Sequence, residues 1–282
     1  MNDSPVRVAA VRRVGAPQAP ADADADLVAV EEPLQLELEH GPRAARSRLN
    51  VGVVLRTPGR DEDLAAGLLF AEGFVGSARD IERMERPAAG HLSVSLAPEV
   101  VLDERLARRV LVRSSACGVC GRDAVDDLAG AGVAALPPGP AVPGRTLQSL
   151  PALLRARQAA FDDTGGLHAA ALFDRDGTLL GCAEDVGRHN AVDKLIGAHL
   201  RASALPGLPS SLPSPLPVIL LVSGRAAFEI AHKAVRARVP ILAAVGAPSS
   251  LAVETARAFN LTLAGFVRHD RFNVYSGFDR IV

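Results

Sequence analysis

The sequence is poor in cysteine, in aromatic residues and in net charge. Its three cysteines are an odd and small set, which excludes the disulfide framework of a secreted protein and indicates a reducing compartment. The 31 basic and 32 acidic residues leave a net charge of −1, so broad attraction to nucleic acid or to an anionic membrane is not expected. With no tryptophan and only one tyrosine, the chain has little aromatic surface on which bases could stack.

Long hydrophobic runs are absent as well. The longest strongly apolar run covers residues 216–222, which is far too short to span a bilayer. The N-terminal stretch lacks the apolar core of a signal peptide, because Asp22, Asp24 and Asp26 interrupt a segment rich in alanine and proline. We therefore expect a cytoplasmic protein that binds neither a membrane nor nucleic acid.

Composition and periodicity divide the 282 residues into four parts. Residues 1–25, rich in Ala, Pro and Asp, are typical of a disordered leader. Residues 26–113 alternate like strands around one helical pattern, which predicts a small α+β domain. Residues 114–146, which end in a Pro- and Gly-rich stretch, are predicted to be a mobile loop and linker. Residues 147–282 form the second domain.

The last third of the chain has the clearest pattern, since short apolar strands alternate with amphipathic helices. Strands are predicted at 218–222, 241–245 and 261–267, and helices at 226–237 and 249–259. This βαβαβ order predicts a parallel sheet with right-handed crossovers. The fold class is therefore α/β with an α+β part.

The loops that follow these three strands share one edge of the sheet, which is where open α/β sheets bind ligands. The first loop contains Ser223, Gly224 and Arg225, and two of the three loops open helices whose N–H groups can face an anion. Arg268 and Arg271, in the third loop, add guanidinium groups. The sequence predicts a site for a phosphorylated ligand that carries a nucleotide.

Two cysteines, Cys117 and Cys120, form a CxxC motif on a predicted strand-to-helix turn. A helix N-terminus favours the thiolate, so the pair suits a nucleophile. CxxC is also half of many zinc sites, but Cys182 stands alone, where a core thiol is the default interpretation, and no H-x-E precedes a P-C-x-x-C. We predict neither zinc nor any other metal site.

A polar turn between a predicted strand and helix holds further candidates. His189 is favoured as a ligand contact because Glu184, Asp185 and Arg188 crowd the same turn, whereas His168 is more readily a structural residue. Neighbouring carboxylates on an extended chain face opposite sides, so helix capping or a salt bridge to Arg188 is the expected role of this pair. Lys233 is expected to be a solvated helix residue.

Six blocks of the sequence resemble, in order, those of the FdhD family, the formate dehydrogenase accessory sulfurtransferases. The blocks are residues 115–121, 164–170, 184–194, 223–225, 247–253 and 271–275. The resemblance extends from about residue 30 to the C-terminus. Six blocks in register are a far more specific signal than the CxxC alone.

The resemblance implies a sulfur carrier. A cysteine desulfurase would load a persulfide on Cys117, with Cys120 as its partner. The sulfur would pass to the molybdenum of bis(molybdopterin guanine dinucleotide) before the formate dehydrogenase catalytic subunit receives that cofactor. The family further implies guanine nucleotide binding, a homodimer, and a second domain with three αβα layers similar to the cytidine deaminase fold.

The segment that matches the family's cofactor-binding residues is Phe266, Val267, Arg268, His269, Asp270 and Arg271. With Ser223, Gly224, Arg225 and His189, these are the predicted cofactor-binding residues. The segment departs from the family pattern at His269 and Asp270, where a glycine-containing turn is expected.

Two other functions stay open at the level of sequence. A non-catalytic chaperone would bind the guanine dinucleotide cofactor without forming a persulfide. A redox switch would form a reversible disulfide between Cys117 and Cys120.

Overall fold

The structure is a computed structural model that describes residues 4–11, 24–102, 132–202 and 217–282. Within these ranges the chain forms twelve strands and six α-helices. The strands are β1 (Val6–Val11), β2 (Asp24–Ala29), β3 (Glu32–His40), β4 (Ser47–Arg56), β5 (Ile81–Ala88), β6 (His91–Leu96), β7 (His168–Phe173), β8 (Leu179–Asp185), β9 (Ile219–Val222), β10 (Ile241–Ala244), β11 (Thr262–Gly265) and β12 (Asn273–Ser276). The helices are α1 (Asp61–Glu72), α2 (Gly144–Arg155), α3 (Ala159–Thr164), α4 (Arg188–Ala202), α5 (Phe228–Arg236) and α6 (Ser250–Ala258).

The small N-terminal unit is a four-stranded sheet in the order β4-β3-β6-β5, with α1 packed on one face. Alternation along β3 directs Leu34, Leu36 and Leu38 into this core, where they meet Leu64 and Leu69 of α1. The strand β5 was not predicted from the sequence, because only its first and fourth residues are even partly buried. This part of the chain therefore combines strands with one helix, and the bounds of a separate α+β domain at 26–113 stay a prediction.

The first described residues depart from the prediction of a disordered leader. Residues 6–11 form β1, which pairs with β2 in an antiparallel ribbon. The side chains of Val8 and Val28 on this ribbon are exposed. These exposed positions give the two strands little of the apolar alternation that predicts a strand.

The second unit is a six-stranded sheet in the order β12-β11-β10-β9-β7-β8. As predicted, β9, β10 and β11 are parallel and are connected by α5 and α6. One face packs against α4, α5 and α6, and the other packs against α2 through Leu147, Leu150 and Leu154. Helices cover both faces, which confirms the mixed α/β class.

Residues 132–143 lie against the second unit, although the sequence predicted them as part of a mobile linker. Leu136 and Val142 are buried, and the Leu136 N–H donates to the carbonyl of Phe259 at 2.9 Å. The fully buried Arg280 donates from Nη2 to the carbonyl of Pro137 at 2.7 Å. These contacts fix the chain that enters α2.

Two glycines bring α1 of the small unit against α4 of the second unit. A Cβ on Gly67 would lie 1.9 Å from the carbonyl oxygen of Asp193, and a Cβ on Gly197 would lie 1.9 Å from that of Asp63. Real side chains never approach backbone so closely, so only glycine allows the two helices this spacing. The small unit is therefore packed tightly on the helix that opens at the candidate site.

Candidate functional site

Backbone hydrogen bonds join the three loops at the carboxyl ends of β9, β10 and β11 into one surface. The Gly246 N–H donates to the carbonyl of Gly224 at 2.9 Å, and the Phe266 N–H donates to the carbonyl of Gly246 at 3.0 Å. Ala226 and Pro248 form an isolated parallel bridge that continues the pairing into the loops. The predicted sheet edge therefore exists, and we call this surface, made of residues 223–227, 246–250 and 266–271, the loop edge.

Close backbone approach within the loop edge depends on glycine. A Cβ on Gly246 would lie 2.8 Å from the carbonyl oxygen of Gly224, and one on Gly265 would lie 2.8 Å from Cδ of Pro248. Larger residues at these two positions would push the loops apart. Neighbouring loops of the loop edge therefore pack closely through their backbones, and side chains project from this surface.

The segment 266–271 divides into exposed and buried side chains. Phe266 has φ +54° and is 42% exposed, an unusual backbone conformation for a large residue. Val267 is fully buried in the core, so any ligand contact it makes is through its backbone. Arg268 is tied back, since its Nη1 donates to the carbonyls of Val245 and Val267 at 2.7 and 2.9 Å.

The turn of this segment carries charge into solvent. The His269 side chain is 93% exposed, and Arg271 lies 3.7 Å from Asp270. Arg225, on the first loop, is also exposed. The loop edge therefore presents several guanidinium groups, partly offset by one carboxylate.

The helices that open beside the loop edge bring in His189. Its Nε2 lies 2.8 Å from Oε2 of Glu229, which joins the first turn of α4 to the first turn of α5. The third helix of this group, α6, is capped by Ser249, whose Oγ accepts a hydrogen bond from the Ala252 N–H at 3.3 Å. His189 thus contacts the helix that follows the first loop.

His168 also lies at the loop edge, next to Gly224, although the sequence did not indicate this. A Cβ on Gly224 would lie 3.4 Å from Nδ1 of His168 and 3.9 Å from Cδ of Arg188. Ser223 fixes the start of β7, because its Oγ accepts a hydrogen bond from the Ala169 N–H at 2.9 Å. Burial lowers the pKa of His168, and the nearby positive charge of Arg188 lowers it further.

The predicted carboxylate pair has two separate roles, neither of them a bridge to Arg188. Glu184 accepts hydrogen bonds from the N–H groups of Ala160 and Phe161 at the start of α3, at 3.3 and 3.0 Å. Burial nevertheless raises the pKa of Glu184. Asp185 is fully buried and pairs with Lys194 at 2.7 Å. The capping role was predicted, and the salt-bridge partner was wrong.

Asp185 also connects the small unit to the turn that carries Arg188 and His189. Its carboxylate accepts hydrogen bonds from the Thr57 N–H at 3.2 Å and the Gly187 N–H at 2.8 Å. Lys194 in turn donates to the carbonyl of Thr57 at 2.7 Å. The position of this turn therefore depends on both units.

Lys233 is buried, so its assignment as a solvated helix residue was wrong. Its Nζ donates to Oδ1 of Asp193 at 2.5 Å, and both side chains are less than 10% exposed. Burial raises the pKa of Asp193, which the neighbouring Lys233 opposes. The pair joins α4 to α5.

Cys117 and Cys120 lie outside the described residues, so their geometry stays a prediction. Cys182 is partly buried against the face of the sheet that packs on α2. Within residues 4–11, 24–102, 132–202 and 217–282, no group of three or more His, Cys, Asp or Glu residues could hold a metal ion. No helix in the same ranges is both long and apolar enough to cross a membrane.

The model of the FdhD/NarQ family matches residues 29–282. The chain belongs to this family. The resemblance inferred from the six sequence blocks is therefore confirmed.

Family relatives are similar over nearly the whole chain. The sulfur carrier protein FdhD of Anaeromyxobacter sp. (strain K) is 45% identical over 273 residues, which is 91% of this chain and 88% of that protein. The sulfur carrier protein FdhD of Streptomyces coelicolor is 44% identical over 268 residues, covering 91% of this chain and 89% of the other. The family assignment thus extends across both units of the fold.

The fold is also found in a solved structure. A crystal structure from Desulfotalea psychrophila, of a protein provisionally described as a formate dehydrogenase accessory protein, matches with a TM-score of 0.70. The match has 23% identity and covers 98% of each chain. A guanine deaminase from Nitrosomonas europaea matches with a TM-score of only 0.33. At that level the likeness carries no argument, so similarity to the cytidine deaminase fold stays a prediction.

Proposed function

We propose that this protein is a sulfur carrier that serves formate dehydrogenase. It accepts sulfur from a cysteine desulfurase on Cys117 and transfers it to the molybdenum of bis(molybdopterin guanine dinucleotide). The observation that carries the proposal is a cationic loop edge in a chain of this family, whose relatives are named sulfur carrier proteins. The molybdenum cofactor is the acceptor of the sulfur and therefore a substrate of the reaction.

The loading step uses the chemistry of a thiolate. The Cys117 thiolate attacks the outer sulfur of the donor persulfide, the donor cysteine leaves as its thiolate, and Cys117 keeps the outer sulfur as a persulfide. No net oxidation occurs, because one S–S bond breaks as another forms. Cys120 can discharge the persulfide by forming a disulfide and releasing sulfide, so it acts as a partner in transfer or as a competing path.

The cofactor binds at the loop edge in this proposal. Its phosphates contact the exposed Arg225 and Arg271 and the N–H groups where α5 and α6 begin, which is favourable for anions. The exposed ring of Phe266 offers a face for the guanine base. The residues present fit a guanine dinucleotide, since they supply bidentate cations, helix N-termini and one aromatic surface.

The remaining expectations belong to the same proposal. The partners are a cysteine desulfurase and the catalytic subunit of formate dehydrogenase, the chain works as a homodimer, and the reaction takes place in the cytoplasm. A three-layer domain similar to cytidine deaminases would carry the cofactor site. In this chain the second unit has helices on both faces of its sheet, which supports that part of the proposal.

The test is an intact mass measurement after the purified protein is incubated with a cysteine desulfurase and cysteine. We expect the wild type to gain one sulfur atom that a reducing agent removes. Cys117→Ala should gain none. Cys182→Ala is the matched control, because Cys182 is a partly buried sheet residue outside the CxxC, and it should load like the wild type.

Two outcomes would change the assignment. Loading that persists in Cys117→Ala would show that Cys117 is not the acceptor. Failure of the wild type to load, while it still binds guanine nucleotide, would favour the non-catalytic chaperone. A reversible loss of the mass of two hydrogen atoms, without any gain of sulfur, would favour the redox switch if Cys120→Ala abolishes it.

A further inference from the structure

The side chains of His168 and Arg188 converge over Gly224, at one end of the loop edge. A Cβ on Gly224 would make ordinary contacts with both, at 3.4 Å to the imidazole and 3.9 Å to the arginine stem. Because Gly224 has no side chain, the space between the imidazole and the guanidinium stem stays open. Neither residue was among those predicted from the sequence to bind the cofactor.

The guanidinium of Arg188 has hydrogen-bonding capacity that the described residues do not use. Its Nε is buried and has no hydrogen-bond partner among residues 4–11, 24–102, 132–202 and 217–282. No ion pair joins Arg188 to another residue in the part of the chain that the structure describes. A buried donor without an acceptor is costly, and an anion would supply the acceptor.

The charges that face His168 are mostly positive. Arg188 and His189 face it from the start of α4, and Asp185 faces it from the end of β8. The charge of Asp185 is neutralised by Lys194, and His189 is paired with Glu229 of α5. Burial and this cationic surrounding lower the pKa of His168, which is therefore neutral near pH 7. An anion bound beside it would reverse that effect.

We propose that His168 and Arg188 form an anion subsite over Gly224, and that His168 takes up a proton from solvent when the anion binds. The identity of the anion rests on the proposed function, which makes it a phosphate group of the guanine dinucleotide. Arg188 supplies a fixed positive charge, and His168 supplies a second charge only when the ligand is present. Binding at this subsite is therefore tighter at lower pH.

The first experiment follows the histidine ring signals of the full chain by NMR while sulfate is added. Sulfate keeps a constant charge between pH 5.5 and 8, so any pH dependence comes from the protein. We expect sulfate to raise the pKa of His168 and its own affinity to fall about tenfold across this range. The signal of His40, in the small unit, serves as an internal control and should not move.

Variants separate the subsite from a general effect of salt. His168→Gln should keep weak sulfate binding but lose its pH dependence. Gly224→Ala should weaken binding about tenfold or more, because the added methyl group fills the space between the two side chains. Gly181→Ala is its matched control, since a Cβ there also makes an ordinary contact, 3.4 Å from Leu195, away from the loop edge.

The proposal is overturned if sulfate leaves the pKa of His168 unchanged in the wild type, a measurement that needs no variant to fold. It is also overturned if Gly224→Ala binds as tightly as Gly181→Ala. A final titration replaces sulfate with guanosine diphosphate. If sulfate acts on His168 but guanosine diphosphate binds no tighter than sulfate, the subsite stands and the proposed nucleotide function fails.

Discussion

The buried pair Asp185–Lys194 gives the most demanding prediction, because it holds the small unit to the turn that carries Arg188 and His189. Replacing Asp185 with Ala leaves Lys194, 2% exposed, with the carbonyl of Thr57 as its remaining acceptor. It also removes the acceptor of the Thr57 and Gly187 N–H groups. Breaking a buried ion pair from one side costs about 3–5 kcal/mol.

Removal of the other partner should cost less. In Lys194→Met the carboxylate of Asp185 keeps three donors, namely the N–H groups of Thr57 and Gly187 and the amide of Asn190 at 2.9 Å. Methionine fills most of the space of the lysine stem. We expect a loss of about 2–3 kcal/mol for this variant. The double variant should be little worse than Asp185→Ala alone, because no unpaired buried cation remains.

Thermal unfolding followed by circular dichroism checks this order. For a chain of this size, about 1 kcal/mol lowers the midpoint by roughly 2–4 °C, so a loss of about 3–5 kcal/mol should place the midpoint of Asp185→Ala roughly 6–20 °C below that of the wild type. Arg83→Ala is the control, because its pair with Glu85 is more than half exposed on both sides and should matter little. If the two single effects simply add in the double variant, the pair is not coupled and the reasoning fails.

Three further predictions address packing, pH and ligand recognition. Gly67→Ala should lower the unfolding midpoint sharply, since its Cβ would lie 1.9 Å from the carbonyl oxygen of Asp193. Gly76→Ala, whose Cβ would lie 3.6 Å from the carboxylate of Asp80, should leave the midpoint unchanged. Equal midpoints for the two variants would refute the close packing of α1 on α4. Burial lowers the pKa of His199 below the unfolded value of about 6.5, so the unfolded state binds more protons as pH falls. Stability of the wild type should therefore fall relative to His199→Gln between pH 7.5 and 5.5, and parallel melting curves would contradict this. Phe266→Gly removes an exposed ring and replaces a residue with left-handed backbone by glycine, which adopts that conformation without strain. The affinity for guanosine diphosphate, measured by calorimetry, should therefore fall about tenfold while the unfolding midpoint changes little. An unchanged affinity would remove Phe266 from the site.

The parallel part of the fold was predictable because its strands are buried on both faces. Such strands appear in the sequence as continuous apolar runs, as in 218–222 and 241–245. Once the strands and their order are known, topology alone places the following loops at one edge of the sheet. This is why Ser223, Arg225, Arg268 and Arg271 can be grouped from the sequence, whereas Phe266 and Val267 joined the predicted site only through the family resemblance.

Other parts carried no such signal. The strand β5 exposes six of its eight side chains and β1 exposes three of six, so their sequences lack the alternation that identifies a half-buried strand. Lys233 occupies an ordinary helical position, and the carboxylate that justifies its burial, Asp193, lies on another helix. A lysine is interpreted as solvated unless its partner is known, and only the fold supplies that partner.

His168 was underestimated for a related reason. It lies more than fifty residues before Gly224 in sequence. The role of a glycine at position 224 becomes clear only in the structure, where the imidazole of His168 lies next to it. A lone histidine at the start of a strand offers no chemistry by itself. The sequence signal that could have identified it was the coincidence of a histidine, an arginine and a glycine at the ends of three strands that share one edge.

The site depends on both units because the turn after β8 is held from two sides. Asp185 bonds to Thr57 of the small unit and to Gly187 of the turn itself, and Lys194 closes the network by donating to Thr57. The glycine contacts between α1 and α4 leave little freedom for the small unit to shift without moving the helix that begins at Arg188. The small unit is therefore part of the structure that positions Arg188 and His189. An anion bound at the loop edge would reinforce the same turn, so ligand binding and attachment of the small unit should stabilise each other.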